Sequence, residues 1–382
     1  MKIRVIGSTC DSQDEALKFC GRAAGICYMP NDFDAILAEP EEKTLARAKN
    51  TLLSGHHSVY DHVTYNLLIE DIPKILAMIL NNEGWYTTSE KSARYTQMKG
   101  DEQEMKLYRK WQIKLYDLIE EKYGEEFLNY YGSEKKTIKA IEKLAMENAR
   151  YMLSIFTPTT MLYSVSLRQI NYILGYFQKF SDEMPKMELF YDVIRLAMLE
   201  FKSALPSELI IPELNASVKN KGFSFFRENK ECEEYFGEVY CTSYLGSWAE
   251  LAQAQRHRTL SYQMSLYEDF VPVIPPIIPE DMVDEWVEDM RSVAHLYPQG
   301  MAIRIYERGT YDKFLLKCYE RMCGCAQLEI AKQTSQTLKR YHNARPDLIP
   351  SDYMKGARCT FPCFKCTNRC VWGAKNALDR LV

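Results

Sequence analysis

The sequence predicts a mixed α/β protein of two or three domains, and three observations carry that expectation. A length of 382 residues exceeds what one hydrophobic core usually spans, so the chain divides or carries a duplicated unit. Hydrophobic residues make up 46% and charged residues 26%, the balance of a chain that buries a core. Short stretches that alternate apolar and polar residues stand beside long stretches with apolar residues at helical spacing.

Residues 2–7 alternate enough for a first strand, and 14–24 and 44–53 carry helical spacing. Gly55 stands where a C-cap closes the second helix, and Ser58-Val-Tyr-Asp61 has the Ser-x-x-acid form of a capping box that starts another. Residues 62–70 alternate with β-branched and aromatic side chains, which predicts a strand, and 72–80 are apolar enough for a buried helix. Residues 101–123 and 135–155 interleave charges with Leu, Ile, Tyr and Met at helical period, predicting long paired amphipathic helices. The stretch 203–223 turns rich in Pro, Ser and Asn, which places a domain boundary near residue 205. Beyond it, 248–258, 278–296 and 309–340 look helical, and 346–382 look irregular and cysteine-rich.

A net charge of −4 removes the bulk attraction that coating a nucleic acid requires, while local arginines can still seat a small phosphate. No apolar run approaches the roughly 18 residues of a membrane span, and the most apolar stretch, 270–279, is broken by four prolines. The opening MKIRVIGSTC has too short an apolar core for a secretory signal, and 12 cysteines without regular spacing read as intracellular thiols. These features place the chain in the cytoplasm.

Several clusters could carry chemistry. Arg256-His257-Arg258, preceded by Gln253, packs cations that either hold an anion or disperse into solvent, and the small apolar helix leading in favours burial against a phosphate-like partner. Ser89-Glu-Lys-Ser92-Ala-Arg94-Tyr95 is either a charged turn or a lining for a phosphate or pyrimidine edge. Glu147-x-x-Arg150 and Glu288-x-x-Arg291 have the spacing of intrahelical pairs, and His56, His57 and His62 suit capping and hydrogen bonding better than metal ligation. Cys359-x3-Cys363-x2-Cys366-x3-Cys370 fits tetrahedral thiolate binding of zinc; an iron–sulfur cluster and unligated thiols remain the alternatives.

Taken together, Gly55-His56-x-Ser58, Glu90-x-Ser92-x-Arg94-Tyr95, Glu147-x-x-Arg150, Gln253-x-x-Arg256-His257-Arg258 and Arg321-x5-Gln327-x-Glu329-Ile330 resemble the motifs of the flavin-dependent thymidylate synthases. Members of that family methylate the uracil of dUMP with methylenetetrahydrofolate and reduced FAD, carry every motif on one short unit, and assemble four units. Here the motifs are divided. The first half has Asn82-Glu83-Gly84 where the RHR group is expected and Phe177 near the late arginine's place, and the second half has Met264-Ser265-Leu-Tyr267 in place of the serine-arginine group.

The resemblance therefore implies a tandem duplicate of the family fold, a mixed sheet with long helices. Residues 1–204 form a first repeat, 205–345 a second, and 346–382 a cysteine-rich tail. It implies one composite site. Glu90, Lys91, Ser92, Arg94, Arg150, Gln253 and Arg256 would meet the nucleotide, and Arg321 at the uracil edge would be catalytic. Ser58, Glu90, Arg168, Asn171, Arg256, His257 and Arg258 would meet FAD. NADPH would reduce the flavin, with no separate dinucleotide domain, and a homodimer would stand for the family tetramer. Two other readings follow from the same residues: an FAD enzyme acting on UMP or another uracil nucleotide, and a non-catalytic nucleotide-binding relative.

Overall fold

In the computed structural model, residues 1–382 are described except 93–95, 97, 98, 216–223, 229, 231, 368 and the side chain of His257. The chain starts with β1 (Lys2–Ser8), α1 (Gln13–Tyr28), α2 (Phe33–Leu37), α3 (Glu41–Leu53), β2 (Thr64–Pro73), α4 (Lys74–Leu80) and β3 (Tyr86–Glu90). Two long helices follow, α5 (Glu102–Tyr131) and α6 (Glu134–Ala149), and then β4 (Pro158–Ser166), α7 (Leu167–Glu183) and α8 (Leu189–Ala204). The remainder is β5 (Tyr235–Phe236), β6 (Val239–Ser247), α9 (Trp248–Ala254), β7 (Ser261–Ser265), α10 (Glu280–Ser292), β8 (Ala302–Thr310), α11 (Tyr311–Arg321), α12 (Leu328–Ala344) and α13 (Gly373–Asn376). This is the mixed α/β class that the periodicities predict, with many helices; the strand pairings of both sheets are antiparallel, where the resemblance implied a mixed sheet.

Each sheet has four strands and the same internal order, β1-β2-β4-β3 and β5-β6-β8-β7. The first compact unit comprises Met1–Lys91 and Pro158–Ser224, and the second Ser92–Thr157 and Phe225–Val382. These units cut the chain differently from the expected division at 204 and 345, because α5 and α6 belong with the second unit.

In the first unit β2 is central, with Leu67 opposite Tyr163 of β4 and Leu68 opposite Arg4 of β1. Tyr65, Leu67 and Ile69 turn inward at period two, and every residue of α4 from Ile75 to Leu80 is buried behind them. Ser12 caps α1 by accepting from the Glu15 amide at 3.2 Å, and Ser166 caps α7 through the Gln169 amide at 3.1 Å. Gly55, at φ +77°, closes α3 as expected. The expected capping box at Ser58 is not formed: residues His57–Asp61 make a 3-10 turn entered from His56, so Ser58 lies within the turn and exposed.

In the second unit α5 and α6 pair, as predicted, and α10 packs on α5. Trp111 and Trp286 meet edge to face with centroids 4.7 Å apart, and Trp286 Nε1 donates to the Val273 carbonyl at 3.0 Å. Lys110 bridges Glu285 at 2.8 Å and Asp289 at 2.5 Å on the rim, where such pairs contribute about 0–1 kcal/mol. The helix expected over 309–340 is two helices, α11 and α12, because the chain turns at Cys323–Ala326. Sequence reading missed β4, β6 and β8, although β4 and β6 bury every second residue over most of their length.

Replacing Trp286 by alanine removes a fully buried ring from the α5–α10 contact. The expected loss is roughly 3–5 kcal/mol, read from the denaturant midpoint at unchanged slope.

Candidate active site

The second unit gathers three of the motif groups. Ser247 caps α9 by accepting from the Glu250 amide at 3.0 Å, and Trp248, Ala249, Leu251 and Ala254 bury the helix. The helix expected to run to Arg258 stops at Ala254: Gln255–His257 tighten into a 3-10 turn, and Arg258 takes left-handed backbone at φ +52°. That turn leaves Arg256 half-buried and Arg258 exposed. Gln253 keeps a buried Oε1 that accepts no hydrogen bond among the described residues.

Arg321 ends α11 and is 6% exposed, with Nη2 donating to the carbonyl oxygen of Gln253. One helical turn earlier, Lys317 forms a buried ion pair with Glu307 of β8. Tyr240 donates to Glu307 Oε1 at 2.7 Å and Tyr244 to Oε2 at 3.1 Å, so the carboxylate is satisfied from both sides. This buried network seats α11 on the sheet and fixes where Arg321 starts.

Arg150 follows α6 in a 3-10 turn, Arg150–Met152, and its Nη2 donates to Gln327 Oε1. Gln327 Nε2 donates to the Tyr151 hydroxyl, and Tyr151 donates to Glu329. Glu329 also accepts from the Ser247 amide at 2.7 Å and the Ser247 hydroxyl at 2.6 Å. Burial and the adjacent Glu329 charge push the Glu250 carboxyl well above its ordinary value of 4.5. A cavity of about 330 Å³ opens beside this group, lined by Asn148, Tyr151, Glu250, Glu329 and Lys332. Gln253, Arg256 and Arg321 are not among its described lining residues.

In the first unit Glu90 is ion-paired with Lys74, and Asn81 Nδ2 approaches it at 3.4 Å. Lys91 is exposed, and its amide donates to the Thr160 carbonyl at 2.9 Å. Arg168 bonds Asp61 at 2.7 Å, in the same turn as Ser58. Asn171 is fully buried and its amide is spent: Nδ2 donates to the carbonyls of Leu167 and Leu209, and Oδ1 accepts from Ile211 at 2.7 Å. Asn171 is a core residue, and no atom of it is left for FAD. In the second unit Ser92 is half-buried and its carbonyl accepts the Thr96 amide and hydroxyl. Arg94 and the side chain of His257 lie outside the described residues.

A family model described as thymidylate synthase complementing protein matches residues 8–205. The chain belongs to that family. Similar solved structures include the flavin-dependent thymidylate synthase ThyX of Helicobacter pylori complexed with FAD and dUMP, at 19% identity over 55% of this chain and 95% of that one, with a TM-score of 0.32. A second structure of that enzyme with FAD and dUMP is 21% identical over 56% of this chain and 99% of the other, again at 0.32. A UMP/dUMP methylase, PolB of Streptomyces cacaoi, bound with 5-Br dUMP is 15% identical over 56% and 93%, also at 0.32. No curated protein matches.

With membership in the thymidylate synthase complementing protein family in hand, the missing motif positions acquire a physical description. The turn at residues 81–84 follows α4 and precedes β3, as the RHR turn follows α9 and precedes β7. There Glu83 is buried, accepting from the Tyr172 hydroxyl at 3.2 Å, and its carbonyl accepts from Gln169 Nε2. Phe177 is the eleventh residue of α7, as Arg321 is of α11, and it packs on Phe201 at 5.5 Å.

The expected zinc site at Cys359, Cys363, Cys366 and Cys370 is not assembled. Among the described residues no group of three or more His, Cys, Asp or Glu is placed to hold a metal ion. Cys363 and Cys366 are exposed, while Cys370 packs inward beside Gly324, so spacing alone did not bring the four sulfurs to one centre.

Sequence reading missed Tyr151, Ser247, Glu250, Glu307 and Lys317. Ser247-x-x-Glu250 does have a capping form, and Glu307 interrupts the inward row of Ile303 and Ile305 in β8. It also missed Glu104, which accepts from the Ser154 amide at 3.0 Å and so braces the turn that carries Arg150. Burial, opposed by the Ser154 amide, raises the Glu104 carboxyl from 4.5 to about 7.

A folded-state value above the unfolded one means that the folded protein binds the extra proton between those limits. The contribution is full below pH 4.5 and lost as pH rises to about 7. Glu104→Gln is expected to flatten the decline of unfolding free energy across that window by ~1.4 kcal/mol per pH unit at most, measured by urea denaturation at successive pH values.

Proposed function

We infer that this chain is a flavin-dependent thymidylate synthase that methylates dUMP to dTMP. Methylenetetrahydrofolate is the carbon donor and reduced FAD the hydride donor, with NADPH reducing the flavin. The observation that carries the reading is a pair of ties inside the second unit: Arg321 bonds the backbone of Gln253, and Arg150 bonds Gln327, so each tie joins residues of two separate motifs. Family membership supplies the chemistry for which those arginines are suited.

In this reading Arg150 and Arg256 bind the nucleotide phosphate and sugar through charge-assisted donors, together with Ser92 and Arg94. Gln253 offers its buried Oε1 to the nucleotide. Arg321 places its guanidinium at the N3/O4 edge of uracil. Positive charge there stabilises the enolate-like anion that makes C5 nucleophilic, a contribution of roughly 3–4 kcal/mol, and no cysteine nucleophile is needed.

The donor set fits FAD: Arg256 and Arg258 place two guanidiniums at one turn, and a pyrophosphate is the anion they match. Bound there, reduced FAD supplies the hydride. Arg258 and His257 of the second unit orient it; Asn171 serves the core instead.

The matching strand orders of the two sheets support a tandem duplicate whose halves divide the motifs, and a homodimer as the counterpart of the family tetramer.

Arg321→Ala is expected to retain FAD absorbance while tritium release from C5-labelled dUMP falls by roughly 10²–10³. Undiminished release from that variant would refute the role of Arg321, and a colourless wild-type protein that turns over neither dUMP nor UMP would refute the enzyme reading. Turnover of UMP in preference to dUMP would change the substrate and leave the mechanism.

A further inference from the structure

The turn Cys323-Gly324-Cys325 between α11 and α12 has no part in methyl transfer, yet it brings two thiols together. The Cys325 amide donates to the Cys323 sulfur at 3.5 Å, and the Cys325 thiol donates to the same atom. One proton is shared between two sulfurs. The charges of Arg358 and Arg380 act on Cys323, and that of Lys143 acts on Cys325. Donation from Cys325 holds the Cys323 thiol down to about 5, whereas making that bond and burial raise the Cys325 thiol, so Cys323 is the base that takes the proton as Cys325 becomes the nucleophile of disulfide exchange.

Glycine is required between them. A Cβ on Gly324 would stand 2.8 Å from Cys370 Sγ and 2.7 Å from Trp372 Cδ1. The Trp372 ring is itself held by Tyr123 at 4.9 Å and Phe127 at 5.3 Å, so the surface against the turn is firm.

Cys325 and Cys370 line a groove of about 470 Å³. Lys136, Lys139 and Lys143 of α6 and Arg369 line it too, and among its described lining residues Glu147 is the one carboxylate. The lysines at i, i+3 and i+7 share one helical face. A groove with this excess of cations around sulfur selects an anion that reacts with thiolate.

We propose that Cys323 and Cys325 form a thiol–disulfide exchange site whose substrate is an anionic low-molecular-weight disulfide of the acidic-peptide class, held by the groove cations. As the shared proton moves to Cys323, the groove-facing Cys325 thiolate attacks one substrate sulfur. The substrate S–S bond breaks, a mixed disulfide forms at Cys325, and the first thiolate leaves and takes up a proton. Cys323 then gives its proton to water, attacks Cys325 Sγ, and expels the second thiolate. The protein pair, which began with one proton, has lost two electrons and that proton, and the substrate disulfide has become two thiols with one further proton taken from water.

The test is exchange of the reduced full chain with oxidised glutathione, followed by peptide mass mapping. A Cys323–Cys325 disulfide is expected in the wild type, and a stable glutathionyl adduct on Cys325 in Cys323→Ser. Oxidised glutathione should react at least tenfold faster than the neutral 2-hydroxyethyl disulfide. The exposed-surface variant Lys136→Glu/Lys139→Glu should erase that preference without slowing the neutral reagent. Equal rates for the two disulfides, first modification at Cys363 or Cys366 with the 323–325 pair unreacted, or a stoichiometric metal that blocks reaction at Cys325 would each overturn the proposal. None of these readouts involves dUMP or flavin, so they stand apart from the methylation assay.

Discussion

The Glu329 carboxylate is the constraint on which the arrangement of the second unit depends. It accepts from the backbone and side chain of Ser247 and from Tyr151, so one group anchors the start of α9, the first turn of α12 and the turn after α6. Charge-assisted bonds of this kind are stronger than neutral ones, and losing one partner leaves a desolvated charge behind. Burial next to Glu329 raises the Glu250 carboxyl, which opposes a second negative charge in the group. The arginines can be presented because the acid that organises them is already satisfied by uncharged donors.

A second buried charge does comparable work at the sheet. Glu307 and Lys317 are removed from water together, and the tyrosines that bond Glu307 supply what solvent would have. Both buried networks hold a helix that ends in a motif side chain, α11 with Arg321 and α9 with Gln253. Neither carboxylate holds substrate in the proposed reaction. Their part is to place backbone.

Much of the architecture was legible because long periodic segments speak plainly. Residues 101–123 and 135–155 predicted α5 and α6, and 72–80 predicted the buried α4. Helix ends were harder. The run from 309 to 340 keeps its period through Gly324, and the break becomes evident once Cys370 and Trp372 are seen against that glycine. In the site, the arginine motifs could be read from type and spacing, whereas Ser247, Tyr151 and Glu307 act through partners distant in sequence. Asn171 and the cysteine quartet mark the opposite failure: suitable chemistry at suitable spacing, with one side chain consumed by the core and the four sulfurs not gathered into a metal-holding group among the described residues.

The turn at residue 84 bears on how the two halves can change. Gly84 sits at φ +73°, and a Cβ there would stand 2.8 Å from Gln169 Nε2. Beside it, the buried Glu83 would meet any cation introduced there. Restoring a guanidinium to this corner therefore requires the backbone, the acid and the glutamine to change together. In the proposed tandem duplicate, a single substitution at this corner meets the buried acid or the glutamine, which makes specialisation of the halves hard to reverse one step at a time.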